Sequence, residues 1–253
     1  MTSSKRDLSP LVRKLGSETP LSEEEVAALM DLSSIVREVS PGEIIVHEGD
    51  EPSQACLILD GLLCRYKITG QGARQIHSFH IAGDIPDLQS LLLAHMDHSI
   101  SVLRPSVLAI IPHHGLHQLI AAHPDVGRML WRETLVDGSI FREWLSNVGH
   151  RSALSRIAHV ICELVIRFDV LGLLRDMTLP IRLTQSEIGD AQGLSLVHVN
   201  RVMKELREKH LIKSDGMHIQ ILDLKGLMTI GDFDPAYLHL HTLPKVLCGT
   251  GTL

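Results

Sequence analysis

Hydrophobic spacing changes character along this chain. From about Ile35 to Ile111, apolar residues alternate with polar ones in short runs, interrupted by Pro41-Gly42, Gly49-Asp50, Asp60-Gly61, Gly70-Gln71-Gly72 and Gly83-Asp84. Period-two alternation broken by turn signals about every ten residues predicts a β-sandwich or roll. Ahead of it, Ser22 and Glu25 pair as a capping box that opens a short helix presenting Val26, Leu29 and Met30. Residues 1–10 are polar and are expected to be mobile. Beyond residue 122 the period becomes helical. Residues 124–147 carry Val126, Leu130, Phe141 and Leu145 on one stripe and Met129, Val136, Ile140 and Trp144 on another. A helix with two apolar stripes has to bury both. Gly138 in its middle weakens helix propensity and marks a close helix approach. Ile157, Val160, Ile161, Leu164 and Val165 then define a one-faced helix, with the break between the two expected near Val148-Gly149.

The densest set of local signals lies between Thr184 and Ile212. Thr184 with Glu187 is a second capping box, and Gly193 stands where a chain reversing between two helices needs positive φ. Ser195 offers the next N-cap. Val199, Val202, Met203 and Leu206 recur at helical spacing and are expected inside, leaving Val197, Asn200, Arg201 and Lys204 outward, with Leu196 and His198 at the exposed N-terminal end. Gly189 lets the two backbones cross closely. This is the pattern of a helix-turn-helix, and Lys213–Leu222, with Asp215-Gly216 at its tip, reads as a β-hairpin wing behind it. An ordinary helical hairpin uses the same caps and turns, but fewer of these spacings at once. Asp223 then caps Leu224–Ile230, residues 232–238 fold a small helix and an aromatic pair back on the body, and the last dozen residues are expected to be disordered.

Composition narrows the function. With 44% hydrophobic and 21% charged residues in 253, the chain suits a soluble protein of two domains. No apolar run reaches membrane-spanning length and the first ten residues lack a signal-peptide core, so a cytoplasmic location and no membrane partner are expected. The net charge of −6 divides unevenly. Residues 150–225 hold 11 Lys and Arg against 9 Asp and Glu, whereas residues 1–149 hold 12 against 19. The small positive excess coincides with the helix-turn-helix and favours double-stranded DNA held by a few well-placed cations. Aromatics at 3% disfavour stacking-based RNA or single-strand binding. The four cysteines, Cys56, Cys64, Cys162 and Cys248, are scattered; free thiols are expected, with no structural zinc or iron–sulfur cluster. No glycine-rich phosphate loop, nucleophile elbow or carboxylate pair stands out, so no enzyme is expected.

Residues 41–84, PGEIIVHEGDEPSQACLILDGLLCRYKITGQGARQIHSFHIAGD, resemble the β-roll of the cyclic-nucleotide-binding fold, and with the helix-turn-helix the chain resembles the Crp/Fnr family of bacterial transcription regulators over about residues 20–225. The resemblance implies an α+β architecture. A flexible N-terminus over 1–20 would precede a roll over 21–122, a dimerisation helix over 123–148, a winged helix-turn-helix domain over 149–225 and a tail over 226–253. It implies a homodimer, with RNA polymerase as a further candidate partner. Arg201 matches an arginine that reads guanine in the family, and Val197 replaces its usual glutamate, so a thymine methyl is a better target there. Asn200 could pair with adenine, and Thr184, Gln185, Ser195 and Lys204 would contact phosphates.

Family members that bind cyclic AMP use a glutamate, an arginine and a serine at positions that fall here on Leu88, His98 and Ser99, with Asp87 available under a one-residue offset. Leucine accepts no hydrogen bond, and histidine is a poor substitute for a bidentate guanidinium. No response to cyclic AMP or cyclic GMP is expected, leaving a small-molecule or redox signal unidentified. The 16 histidines, among them His77 and His80, His95 and His98, His113, His114 and His117, and His239 and His241, invite a metal or haem reading, but no third ligand accompanies any pair. No cofactor or metal is assigned. Two alternatives stay open: an effector-, haem- or redox-sensing regulator of the same fold, and an interaction protein with a degenerate helix-turn-helix, favoured by the apolar Leu196-Val197 pair.

Overall fold

The computed structural model describes residues 7–215 and 218–248 and divides into two compact units, 1–137 and 138–253. In the first, β1 (Ile35–Val39), β2 (Ile44–Val46), β3 (Gln54–Ile68), β4 (Arg74–His80) and β5 (Ser99–Pro112) pair antiparallel in the order β1-β5-β3-β4, with β2 also on β5. The long strands β3 and β5 pair from Gln54 opposite Pro112 to Tyr66 opposite Ser99. The Asp60-Gly61 turn expected from the sequence is no turn. Both residues lie inside β3, where the register slips between Ile58 and Leu62 and Gly61 adopts φ 108°. A side chain at 61 would collide with Ser106, whose hydroxyl accepts the Leu62 N–H at 3.2 Å. A glycine in a strand therefore bends the sheet at a bulge here.

One core of the roll is Val39, Val46, Cys56, Ile58, Leu63, Met96, Ile100, Val102, Leu108 and Ile110. A second lies under helices α1 (Ser9–Glu18), α2 (Glu23–Met30), α3 (His113–Ala122) and the start of α4 (Pro124–His150). α2 begins on the expected Ser22–Glu25 capping box. The expected mobile N-terminus is contradicted from residue 8 onward: Leu8, Leu11 and Leu15, at helical spacing, are fully buried and Pro10 sits in the first turn of α1. Residues 1–6 lie outside the described residues.

α4 is one continuous helix of 27 residues, so the expected break at Val148-Gly149 falls inside it and the chain turns only at Arg151-Ser152. Its apolar residues divide otherwise than expected. Val126, Leu130, Ile140 and Trp144 are buried, whereas Phe141 and Leu145 are exposed together with Trp131 and Leu135, at 66% and 58%. Gly138 meets nothing nearer than Arg142 of its own helix, so no close helix approach occurs there among the described residues.

In the second unit α5 (Ala153–Val170) is buried along most of its length, including all five expected positions, and packs on α6 (Gln185–Gln192), α7 (Leu196–Glu208) and α8 (Leu224–Gly231). β6 (Ile212–Ser214) and β7 (Ile219–Ile221) form the wing. Ser214 pairs with Ile219, and Gly216 of the expected Asp215-Gly216 tip lies outside the described residues. Asp223 caps α8 through the Gly226 N–H. The small helix and aromatic pair expected over 232–238 recur, and the structure continues into the last dozen residues, which were expected to be disordered. Residues 235–238 form a 3-10 turn, Phe233 and Tyr237 meet edge to face at 6.0 Å, and α9 (Lys245–Cys248) is tied to Asp169 through the Val246 N–H; residues 249–253 lie outside the described residues. Among the described residues no helix is long and apolar enough to cross a membrane.

Candidate nucleic-acid interface and roll interior

The helix-turn-helix is assembled from the local signals that predicted it. The Thr184 hydroxyl accepts the Glu187 N–H at 3.2 Å while the Glu187 carboxylate accepts the Thr184 N–H at 2.8 Å, which fixes the first turn of α6. α6 stops at Gly193, in the left-handed region at φ 62°. Ser195 caps α7 and its hydroxyl also meets His198 Nδ1 at 3.0 Å. A Cβ on Gly189 would stand 2.7 Å from the Leu194 carbonyl oxygen, so the crossing of the two helices requires the missing side chain. Two side chains hold the far end of α6: Asn147 donates to Gln192 Oε1 at 2.8 Å, and Arg156 donates to the Gln192 carbonyl at 3.2 Å.

On α7, Val199, Val202, Met203 and Leu206 are buried as expected, and Leu196, Val197, His198, Asn200, Arg201 and Lys204 are exposed. Thr184 and Gln185 are half-buried at the start of α6, and Ser195 is exposed. The outward groups differ in readiness. Arg201 has no intramolecular ion pair or hydrogen bond among the described residues, whereas Asn200 donates to the Leu196 carbonyl at 3.0 Å and Lys204 pairs with Glu208 at 3.6 Å. A guanidinium presented free on a groove-sized helix face can make bidentate bonds to a base edge.

The roll interior is charged. Arg65 of β3 donates to the Pro86 carbonyl at 2.7 Å and pairs with Asp137 of α4, and Lys14 of α1 pairs with Asp84 and, at 3.0 Å, with Glu133 of α4. His80 is buried against Ser78 and Asp84 at 2.8 and 3.3 Å; burial, then the Arg65 charge, push its pKa down to about 4, so it is neutral. Burial opposes ionisation of Asp137, yet the Arg65 guanidinium holds its carboxyl below the usual range. Of these residues the sequence singled out only His80, as a metal or haem candidate with His77, although an arginine in the apolar run LLCRYKI was a signal for an interior partner.

The positions suggested by analogy to cyclic-nucleotide binding serve the fold. Asp87 is buried and both its oxygens accept the Cys56 N–H, at 2.9 and 3.1 Å; burial raises its pKa to about 6. Leu88 is buried. His98 accepts from Gln89 at 3.3 Å and donates to Asp97 at 2.6 Å, and Ser99 accepts the Glu48 N–H at 2.9 Å. Of the four, only Asp87 borders the cleft of about 430 Å³ between Ile45, the 50–56 segment and Ile110. His113 and His117 do share α3, with His113 on Ser90 at 3.0 Å; no group of three His, Cys, Asp or Glu suited to a metal occurs among the described residues. Cys56, Cys64 and Cys162 are buried free thiols and Cys248 is an exposed one.

Comparison with known proteins matches residues 36–123 to the cyclic nucleotide-binding domain and residues 155–230 to the Crp-like helix-turn-helix domain. The transcriptional activator protein FnrA of Stutzerimonas stutzeri is 25% identical over 211 residues, covering 83% of this chain and 86% of that protein. Electron transport regulator A of Shewanella oneidensis is 26% identical over 205 residues, 80% of this chain and 81% of that one. Among solved structures, FixK2 from Bradyrhizobium japonicum superposes with a TM-score of 0.72 at 20% identity, covering 79% of this chain and 98% of its own. The c-di-GMP responsive regulator CLP from Xanthomonas campestris gives 0.59 at 15%, covering 85% and 99%. Roll and helix-turn-helix answer to a single kind of protein, and the chain belongs to the Crp/Fnr family of transcription regulators, with no enzymatic role.

Proposed function

We propose that the protein is a homodimer that reads a near-palindromic site in double-stranded DNA, with α7 of each protomer in the major groove. The observation that carries this reading is Arg201: exposed, free of intramolecular partners among the described residues, and flanked by Val197 and Asn200 on the outward face. Arg201 takes guanine through O6 and N7, Val197 meets a thymine methyl, and Asn200 exchanges its bond to Leu196 for adenine. Thr184, Gln185, Ser195 and Lys204 contact phosphates, and Leu196 and His198 flank them at the helix start. The exposed row Trp131, Leu135, Phe141 and Leu145 supports pairing of α4 with its copy. Two copies also offset the modest positive charge of one domain.

The occupied hydrogen bonds of Asp87, His98 and Ser99 favour a roll that does not respond to cyclic AMP or cyclic GMP. The signal is then another small molecule or a redox change, acting in the cytoplasm on recruitment of RNA polymerase. The test is site selection from a randomised duplex pool with parent and Arg201→Ala. The variant should lose roughly 1–3 kcal/mol on the parent's site and its preference at one base pair; the same motif from both removes the assigned role. A second reading rests on Leu196 and Val197, at 54% and 77% exposure an apolar tip that suits a protein partner. Gel shifts of genomic fragments at two salt concentrations separate the two, because only DNA binding weakens steeply with salt.

A further inference from the structure

Beyond residue 230, where the match to the helix-turn-helix domain ends, the chain returns to the buried face of α5. His159 of α5 is fully buried. Its Nδ1 lies 3.1 Å from the Gly231 carbonyl oxygen and its Nε2 3.1 Å from the Tyr237 hydroxyl, which in turn lies 2.9 Å from Glu163 Oε2. Glu163, also fully buried, further accepts from Trp144 Nε1 of α4 at 2.8 Å and from Arg167 at 3.3 Å. The rings of Phe233 and Tyr237 pack on the imidazole at 5.0 and 5.7 Å. One run of polar groups thus joins tail, α5 and the C-terminal part of α4.

The run can be counted in hydrogens. A carbonyl oxygen only accepts, so each of the three contacts Gly231–His159, His159–Tyr237 and Tyr237–Glu163 needs a hydrogen of its own. A neutral imidazole brings one N–H and a phenol one O–H, which leaves one contact without a hydrogen. Burial and Glu163 drive the Tyr237 hydroxyl further from ionisation, so it keeps its proton. The missing hydrogen is an additional proton, carried by His159 as imidazolium. The charges facing the imidazole are Glu163 from α5, Glu143 of α4 at 3.8 Å and Arg151 from the α4–α5 connection, with Asp232 of the tail on the far side of Arg151. Burial, the largest influence, holds the imidazole's pKa below its ordinary value and Arg151 acts the same way, while Glu163 (itself paired with Arg167), Glu143 and the Gly231 carbonyl favour the second proton.

We propose that Gly231, His159, Tyr237 and Glu163 form a proton-holding latch in which Tyr237 is the positioning residue, setting α5 and the helix-turn-helix packed on it for DNA. When the proton leaves, two lone pairs face each other inside the protein at one of the three contacts, and the tail loosens from α5. DNA binding therefore weakens as pH rises.

The inference rests on DNA binding through α7, and the experiment keeps the two apart. The full chain is titrated with a duplex enriched by the parent from a randomised pool, between about pH 5 and about pH 8, in parallel with Tyr237→Phe. His198→Ala is placed in both backgrounds to remove an imidazole at the interface. Tyr237→Phe should bind about threefold to tenfold more weakly at the acid end, with a pH slope flatter than the parent's by up to one proton. A loss of packing alone would lower affinity and leave the slope. Independently, nitrogen NMR of labelled histidine in the unmodified protein should show His159 taking up its second proton within this range. A parent that retains no duplex removes the DNA reading and leaves the NMR result to decide the latch. Equal slopes in parent and variant, or a His159 with no second proton throughout, overturns the proposal.

Discussion

Gly189→Ala is the smallest perturbation that tests how the helix-turn-helix is built. The added methyl would lie 2.7 Å from the Leu194 carbonyl oxygen and 3.6 Å from Val199 Cγ2. The second contact is ordinary, whereas the first demands that backbone move by about 0.5 Å or more. That carbonyl lies in the turn just before the N-cap of α7, and the neighbouring Leu194 N–H donates to the Gly189 carbonyl at 3.0 Å, so opening the gap stretches the bond that closes the turn. Overpacking of this kind costs about 1–3 kcal/mol and the weakened hydrogen bond about 1 more, while alanine's better helix propensity returns about 1. The balance is a loss of about 1–3 kcal/mol. Urea denaturation followed by far-UV circular dichroism measures it, and fluorescence anisotropy on a selected duplex should show weaker binding under conditions where the variant is folded. A variant as stable as the parent within about 0.5 kcal/mol, with unchanged duplex affinity, would refute the close crossing.

Leu135→Asp places a charge in the exposed row of α4 and should convert a dimer to a monomer in sedimentation equilibrium without unfolding the roll; a persisting dimer puts the interface elsewhere. Asp137→Asn leaves the half-buried Arg65 guanidinium without its carboxylate and should cost about 1–3 kcal/mol, discounted from a fully buried pair because Asp137 is partly exposed; a neutral result means that the pair is held by solvent. His80 and Asp87 make opposite contributions to pH dependence. The depressed His80 stabilises the fold above pH 6.5 and loses that as pH falls toward about 4. The raised Asp87 stabilises below pH 3.8 and loses that as pH rises through about 6. Each effect is worth up to about 3 kcal/mol, so they largely cancel in the parent. Relative to the parent, Asp87→Asn should lose stability on acidification over this window and His80→Gln should gain it; parallel curves of denaturation free energy against pH would show that neither group titrates as described.

What was legible in the sequence was local. Capping boxes, the Gly193 turn and the inward quartet of α7 depend on residues at most a few positions apart, and each recurs in the structure. The stripes of α4 failed because small offsets between the helical repeat and the heptad accumulate. Val126 and Phe141 begin a common stripe on paper and end on different faces, while the exposed pair Trp131 and Leu135 went unseen. α1 escaped notice because its apolar residues are spaced through a polar segment with no side-chain cap. The Arg65–Asp137 pair joins residues 72 positions apart, which no local pattern encodes. The bulge at Gly61 looked like a turn because the same dipeptide, Asp-Gly, serves both purposes.

That bulge couples two positions whose histories cannot be separate. Ser106 reaches into the space that a side chain at 61 would need, binding the Leu62 N–H and the Arg104 carbonyl from there. Replacing Ser106 with something larger drives against the opposite backbone, and replacing Gly61 with anything at all evicts the hydroxyl. In a library diversified across the roll, this pair would form a frozen seam, with tolerance resuming only at the solvent-facing residues on either side.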